Sequence, residues 1–142
     1  MRELVKPGEI NVKYSAGGIV DIEYAVQYLQ LLYGQQHPAL RVTNTLDAMH
    51  RLREAGLFRE EEYSQLHTAY LFLRNVIDAL RIVRGDASDL VLPPQDSEEF
   101  KSLARRLGYR QKDRAKNAAL LAADLRLEMK RVHDHFVARY DG

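Results

Sequence analysis

The sequence predicts an all-α fold, an antiparallel bundle of about five helices behind a short extended N-terminal segment. Three observations support this. Apolar residues recur at three- and four-residue steps through most of the chain. The four prolines, Pro7, Pro38, Pro93 and Pro94, fall between the periodic stretches and do not interrupt them. Polar–apolar alternation is confined to residues 9–14. Residues 1–16 are therefore read as an extended segment and 17–142 as a single bundle domain, with no internal repeat.

In chain order, residues 9–14 read as a short strand, and a lone strand needs a hydrogen-bonding partner. The first helix is expected over 18–33, with Ile19, Ile22, Val26, Leu29 and Leu32 or Tyr33 inward and Gly34 at its end. The second spans about 44–55, capped by Thr43 or Asn44, with Leu46, Met49 and Leu52 inward and Gly56 as terminator. The third, about 59–84, is the longest. Tyr63, Leu66, Tyr70, Leu73, Ile77 and Leu80 form its stripe, which Leu71, Phe72 and Val76 widen, so it is expected to be central and buried on more than one side. A loop over 85–95 leads to Asp96 as cap, with Glu99 as its capping-box partner, and to a fourth helix over about 97–107 that stops at Gly108. The last helix, about 111–140, keeps Ala118, Ala122, Leu125, Met129, Val132 and Phe136 on one seam and opens on a solvated run, Lys112 to Lys116.

Composition narrows the function. A net charge of +1 gives no global pull towards nucleic acid or an anionic membrane, and no stretch has the length and apolarity of a signal core or a membrane span. With no cysteine there is neither a disulfide nor thiol chemistry, which is compatible with a reducing cytoplasm, the expected location. The basic pairs Arg105-Arg106 and Lys130-Arg131 lack interleaved aromatics and are read as solubilising charge, so no nucleic-acid partner is expected. His133-Asp134-His135 carries metal-ligand residue types, with His50 and His67 on other helices. Neighbours on a helix diverge, however, and the trio is read as a solvated face. Arg74 and Asp78, four apart, are expected to form a surface ion pair.

The most informative stretch is 14–34, where Gly17-Gly18 opens into an amphipathic helix with Asp21 and Glu23 in its first turns. Glycines there let a second backbone or a ligand approach, and a helix start offers free amides that can receive an anion. Asp21 and Glu23 already place negative charge at that end, so a phosphate would need a divalent metal or Lys13 between them. The plainer reading is a strand-to-helix turn that needs small residues, with two acids complementing the helix dipole.

Gly17, Gly18, Ile19, Asp21, Ile22, Glu23 and Tyr24 match the motif Gly-Gly-(Ile/Leu)-x-(Asp/Glu)-Ile-Glu-(Phe/Tyr). With it the segment resembles the helical domain that follows the nucleotidyltransferase domain in glutamine synthetase adenylyltransferases. The likeness continues through Gln27 to Leu31, Pro38 to Arg41, Asn44 to Leu46, Ala69 to Arg74, Leu103 to Arg105 and Leu107 to Tyr109. Val20 makes the chain look more like the carboxy-terminal, adenylylating half of that family, whose other half more often has arginine there. Ile77 stands where family members commonly carry a glutamate.

The resemblance implies a role in transferring AMP from ATP to a tyrosine of glutamine synthetase, in the regulation of nitrogen metabolism, with ATP and magnesium used by the full-length enzyme. The partners it implies are a catalytic nucleotidyltransferase domain of the same polypeptide, glutamine synthetase and a PII-type signalling protein. The chain has no Gly-Ser motif and no Asp-x-Asp pair to hold catalytic metals, and Asp21 and Glu23 diverge on a helix. No catalytic residue, metal ligand or cofactor is therefore assigned to it. Lys13, Gly17, Gly18, Asp21 and Glu23 are expected to lie at the interface with the catalytic domain, close to the nucleotide. On this reading Gly18, Asp21 and Glu23 matter more to activity than to folding. The alternative is a free-standing helical module that binds a protein partner, the reading favoured if the polypeptide truly begins at Met1.

Overall fold

The computed structural model describes residues 9–85 and 89–138. Five α-helices follow one another: α1 Ile19–Tyr33, α2 Thr45–Glu54, α3 Glu60–Arg84, α4 Glu98–Arg106 and α5 Arg114–Phe136, with a 3-10 turn at Pro38–Leu40. The bundle is all-helical, as the periodicity predicts, and α3 is central, packing against each of the other four helices. Its Leu66, Leu73, Val76, Ile77 and Leu80 are buried, and the 77th side chain stays apolar in the core. Leu71 does not widen this stripe, because it lies outward and is 41% exposed. On α5 the seam from Ala118 to Val132 is buried as expected, with Leu121 added and Phe136 only half-buried. Arg74 and Asp78 approach to 3.9 Å on the exposed face of α3.

The expected strand at 9–14 does not form. Asn11 makes a single antiparallel bridge with Val91 of this same chain, flanked by Val12 N–H to the Leu90 carbonyl at 3.0 Å and Leu92 N–H to the Ile10 carbonyl at 2.7 Å. No second domain is needed to satisfy these groups. The chain then curls because the Asn11 side-chain oxygen accepts from both the Lys13 and Tyr14 amides, at 2.9 and 3.0 Å. A short polar side chain that captures nearby amides competes directly with a sheet ladder. Val12, fully buried, fixes the segment to the core.

Helix ends also differ from expectation by a residue or more. Ser97, not Asp96, caps α4. Its hydroxyl accepts from the Phe100 amide at 3.1 Å and donates to the Pro94 carbonyl at 2.6 Å, joining the cap to the diproline loop. Glu99 does not close a capping box. It takes the Arg84 guanidinium at 2.8 and 3.0 Å, and Arg84 also donates to the Asp89 carbonyl, so the end of α3 is pinned to the start of α4. α5 begins at Arg114, not near 111, because Asp113 caps it and the buried Asn117 holds the Gln111 backbone by two hydrogen bonds. Its expected continuation to 140 runs past the described residues.

Charged side chains link the other elements. Arg53 of α2 grips Glu60 of α3 through two hydrogen bonds, at 2.6 and 3.0 Å, while its guanidinium lies 4.6 Å over the Tyr63 ring. Gln30 of α1 donates to the Leu40 and Val42 carbonyls, which holds the turn after α1 against that helix.

Candidate functional site: the glycine turn at the start of α1

The turn before α1 lies under α5. Gly17 has φ +79°, and a Cβ placed on it would lie 1.9 Å from the Met129 carbonyl oxygen, so the turn and the α5 backbone are in direct contact. Gly18 has extended backbone, and a Cβ there would meet the carbonyl oxygens of Lys13, Ser15 and Val12 at 2.7–2.8 Å. Those carbonyls are close because they serve the helix start. The Gly18 amide donates to Ser15, Ile19 to Val12, Val20 to Lys13 and Asp21 to Gly18, over 2.8–3.1 Å. The remaining amide, that of Gly17, donates to Asp21 Oδ2 at 2.8 Å in a buried setting.

The free amides expected of this helix start are therefore all in use. A nucleotide phosphate finds no backbone donor there, and the buried Asp21 carboxylate is committed to the turn. Nor do Asp21 and Glu23 converge, and among the described residues no group of three His, Asp or Glu side chains is placed to hold a metal ion. The backbone amides of the turn thus offer no phosphate site. Its glycines and Asp21 pack the turn against α5 and close it by a hydrogen bond, so they bear on folding whatever else they do.

Lys13 and Glu23 are different. Both are half-buried, and their side chains make no hydrogen bond or ion pair among the described residues, although the Lys13 ammonium lies 5.1 Å from the centre of the Tyr14 ring. Beyond them the outward face of α1 carries Tyr24, Tyr28, Leu31 and Leu32, all about half exposed or more. Sequence periodicity assigned Leu32 an inward position as an alternative to Tyr33, and Tyr33 is the one that packs.

The other histidine candidates do not come together. His50 pairs with Glu54 on the surface of α2 at 3.1 Å, and His67 stacks on Tyr63 with ring centres 5.0 Å apart. His133 and Asp134 are exposed, with Asp134 bound to Lys130 at 2.6 Å. His135 departs from the solvated-face reading. Its side chain is nearly buried, with Nε2 3.7 Å from Oε2 of the buried Glu62, which also accepts from Arg59. One helix step rotates a side chain by about 100°, enough to separate neighbours between solvent and core.

Replacing Asp21 tests the packing role. Asp21→Ala leaves the Gly17 amide buried without an acceptor, and is expected to cost about 1–3 kcal/mol of unfolding free energy. Glu23→Ala should change stability by less than about 0.5 kcal/mol. Urea denaturation followed by circular dichroism separates the two, and equal effects would remove the special standing of Asp21.

A helical bundle built over a glycine turn is the class of domain these features define. The model of the GlnD PII-uridylyltransferase family matches residues 4–138, and the chain belongs to that family. Its curated relatives include the bifunctional glutamine synthetase adenylyltransferase/adenylyl-removing enzymes of three bacteria. That of Mycobacterium bovis is 34% identical over 121 residues, covering 85% of this chain and 12% of the relative. That of Streptomyces coelicolor is 37% identical over 101 residues, 71% of this chain and 10% of the relative. That of Stenotrophomonas maltophilia is 38% identical over 128 residues, 90% of this chain and 13% of the relative. The chain spans about an eighth of the length of the relatives it matches.

Proposed function

We propose that the chain works as the helical domain of a glutamine synthetase adenylyltransferase, beside a nucleotidyltransferase domain that uses ATP and magnesium. The observation that carries this reading is the Gly17-Gly18 turn with Asp21, seated in a bundle that matches adenylyltransferases over 85–90% of its own length. Glutamine synthetase is the protein substrate on this reading, and a PII-type protein the regulator. Val20 favours the carboxy-terminal, adenylylating half, and the cytoplasm is the compartment this function requires.

The turn residues then divide by role. Gly17, Gly18 and Asp21 hold the start of α1 against α5. Lys13 and Glu23, without polar partners in the described chain, are the groups that reach the nucleotidyltransferase domain. The exposed Tyr24 and Leu31 continue that contact surface along α1. A half-buried unpaired carboxylate and ammonium gain most from a partner carrying the opposite charges.

Two measurements test this. The chain alone, with labelled ATP, magnesium and glutamine synthetase, should transfer no label, because it supplies no carboxylate cluster to stabilise the transferring phosphoryl group. Stoichiometric labelling of a tyrosine by the chain alone would refute that part. Substituted for the matching segment of the Stenotrophomonas maltophilia enzyme, the chain should retain adenylyl transfer to glutamine synthetase, and the Lys13→Glu, Glu23→Lys pair should lower it about tenfold or more with unchanged melting. A folded but inactive substitution, or one that labels a PII protein instead, would overturn the assignment.

A further inference from the structure

A cavity of about 450 Å³ opens beside the end of α4, lined by Val83 of α3, by Ser102, Arg105 and Arg106 of α4, and by Arg110 of the turn that follows. It involves neither α1 nor the turn before it, so it stands apart from the proposed function. No acidic side chain lines it. Residues three and four apart share a helix face, which places Ser102, Arg105 and Arg106 together. Gly108, with φ +100°, then turns the chain and brings Arg110 to the same opening.

The walls are fixed while the guanidiniums are uncommitted. Arg84, next to Val83, binds Glu99 and so ties the end of α3 to α4. Arg110 sits between two anchored neighbours. The Tyr109 hydroxyl donates to Asp124, and the Gln111 backbone makes two hydrogen bonds, at 2.8 and 3.1 Å, with the buried Asn117. Arg105, Arg106 and Arg110 are themselves exposed, and their side chains make no hydrogen bond or ion pair among the described residues. Of the described arginines only Arg81 and Arg126 share that condition, so three of the five uncommitted guanidiniums meet at one cavity. Basic residues in a last helical turn can serve the helix dipole. Here the closing carbonyls have other partners: those of Leu103, Ala104 and Arg105 accept from the Leu107, Tyr109 and Gly108 amides at 3.0–3.1 Å. Three like charges around one opening repel one another, and an anion between them relieves that repulsion.

We propose that this cavity binds the diphosphate group of a small organic molecule, with the Arg105, Arg106 and Arg110 guanidiniums and the Ser102 hydroxyl donating to its phosphoryl oxygens. A single carboxylate carries one charge on two oxygens and would leave two of the three cations unneutralised. A phosphoryl group matches the guanidinium fork equally well and presents three acceptor oxygens. A terminal diphosphate carries about three negative charges at neutral pH, the number that the three arginines balance. The cavity also falls within the roughly 300–1,000 Å³ range of small-molecule sites, and the half-buried Val83 offers an apolar surface to the body that bears the diphosphate.

The test uses the 142-residue chain in metal-free, phosphate-free buffer at about 0.15 M salt, which screens weak surface attraction. Amide NMR titrations compare methyl diphosphate, inorganic phosphate, the tricarboxylate tricarballylate, a blocked phosphoserine peptide and a short oligothymidylate. Saturable shifts centred on Ser102, Arg105, Arg106 and Arg110 are expected with methyl diphosphate, and the other probes should bind about tenfold more weakly or worse. Arg106→Gln and Arg110→Gln, on different elements and each checked for unchanged melting, should each weaken methyl diphosphate about tenfold or more, the loss expected for one charge-assisted hydrogen bond. Arg126→Gln removes the same charge from an exposed, uncommitted arginine of α5 that does not line the cavity, and should leave binding unchanged. Absence of saturable shifts, tricarballylate binding as tightly as methyl diphosphate, or an equal loss in Arg126→Gln would overturn the proposal. Tighter binding of the phosphoserine peptide or of the oligothymidylate would overturn it in favour of a phosphorylated protein or a nucleic acid.

Discussion

Gly17→Ala is expected to destabilise the chain by about 2–5 kcal/mol, combining the left-handed strain of an L-residue with forced displacement of the α5 backbone. The two contributions can be separated within this molecule. Gly56 also has positive φ, +75°, but a Cβ there meets nothing within 4 Å, so Gly56→Ala reports strain alone, about 1–2 kcal/mol. At Gly17 the new methyl group would fall on the Met129 carbonyl, and a backbone oxygen held in a helix cannot swing aside as a side chain can. Urea midpoints for the two variants, with a shared m-value, give the difference directly. If Gly17→Ala unfolds no earlier than Gly56→Ala, the turn is not pressed against α5. Since a domain of this size has roughly 5–15 kcal/mol of stability in total, the upper end of the range would leave the variant partly unfolded near body temperature.

The second large effect belongs to the core. Leu73→Ala should cost about 2–5 kcal/mol, towards the upper half, because the fully buried Leu73 sits on the helix that touches all four others. A cavity at such a junction closes poorly, since each wall is a helix held by other contacts. Leu125→Ala on α5, also buried, should fall in the same range. Leu71→Ala is the internal comparison: two residues away on the same helix but 41% exposed, it should cost under about 1 kcal/mol. His133→Ala should be close to neutral. Thermal melting ranks the four, and a Leu71 effect as large as that of Leu73 would mean that the inward face of α3 has been misplaced.

Much of this architecture was legible in the amino acids. Residues 60–84 have one side-chain period along 25 positions, and a period that long can be satisfied only by a helix with a buried stripe. Gly34, Gly56 and Gly108 fall at helix ends, and Asn44 caps α2 as its side chain predicts, accepting from Asp47 N–H at 3.0 Å. The turn motif at Gly17-Gly18 was equally visible, and with it the family. Boundaries were less so: Asp96 and Ser97 are both competent caps, and the choice fell to Ser97 because only its hydroxyl also meets the Pro94 carbonyl. No pattern within a few residues contains that information.

What the sequence by itself determined was the class of each helix and the identity of the turn, because both depend on local periodicity and on side chains acting within about four residues. What only the tertiary structure decided was what the local signals met. Residues 9–14 alternate like a strand, yet Val91, some 80 positions away, offers a single bridge before Asn11 curls the chain. His135 sits in a charged triplet, yet it reaches Glu62 from another helix. The first amides of α1 look free, yet carbonyls of the preceding turn and Asp21 take all of them. For the bridge and for His135 the outcome rests on a partner brought in from a distant part of the chain. Hydrogen-bond satisfaction of buried groups is a property of the assembled core, not of the segment that carries them.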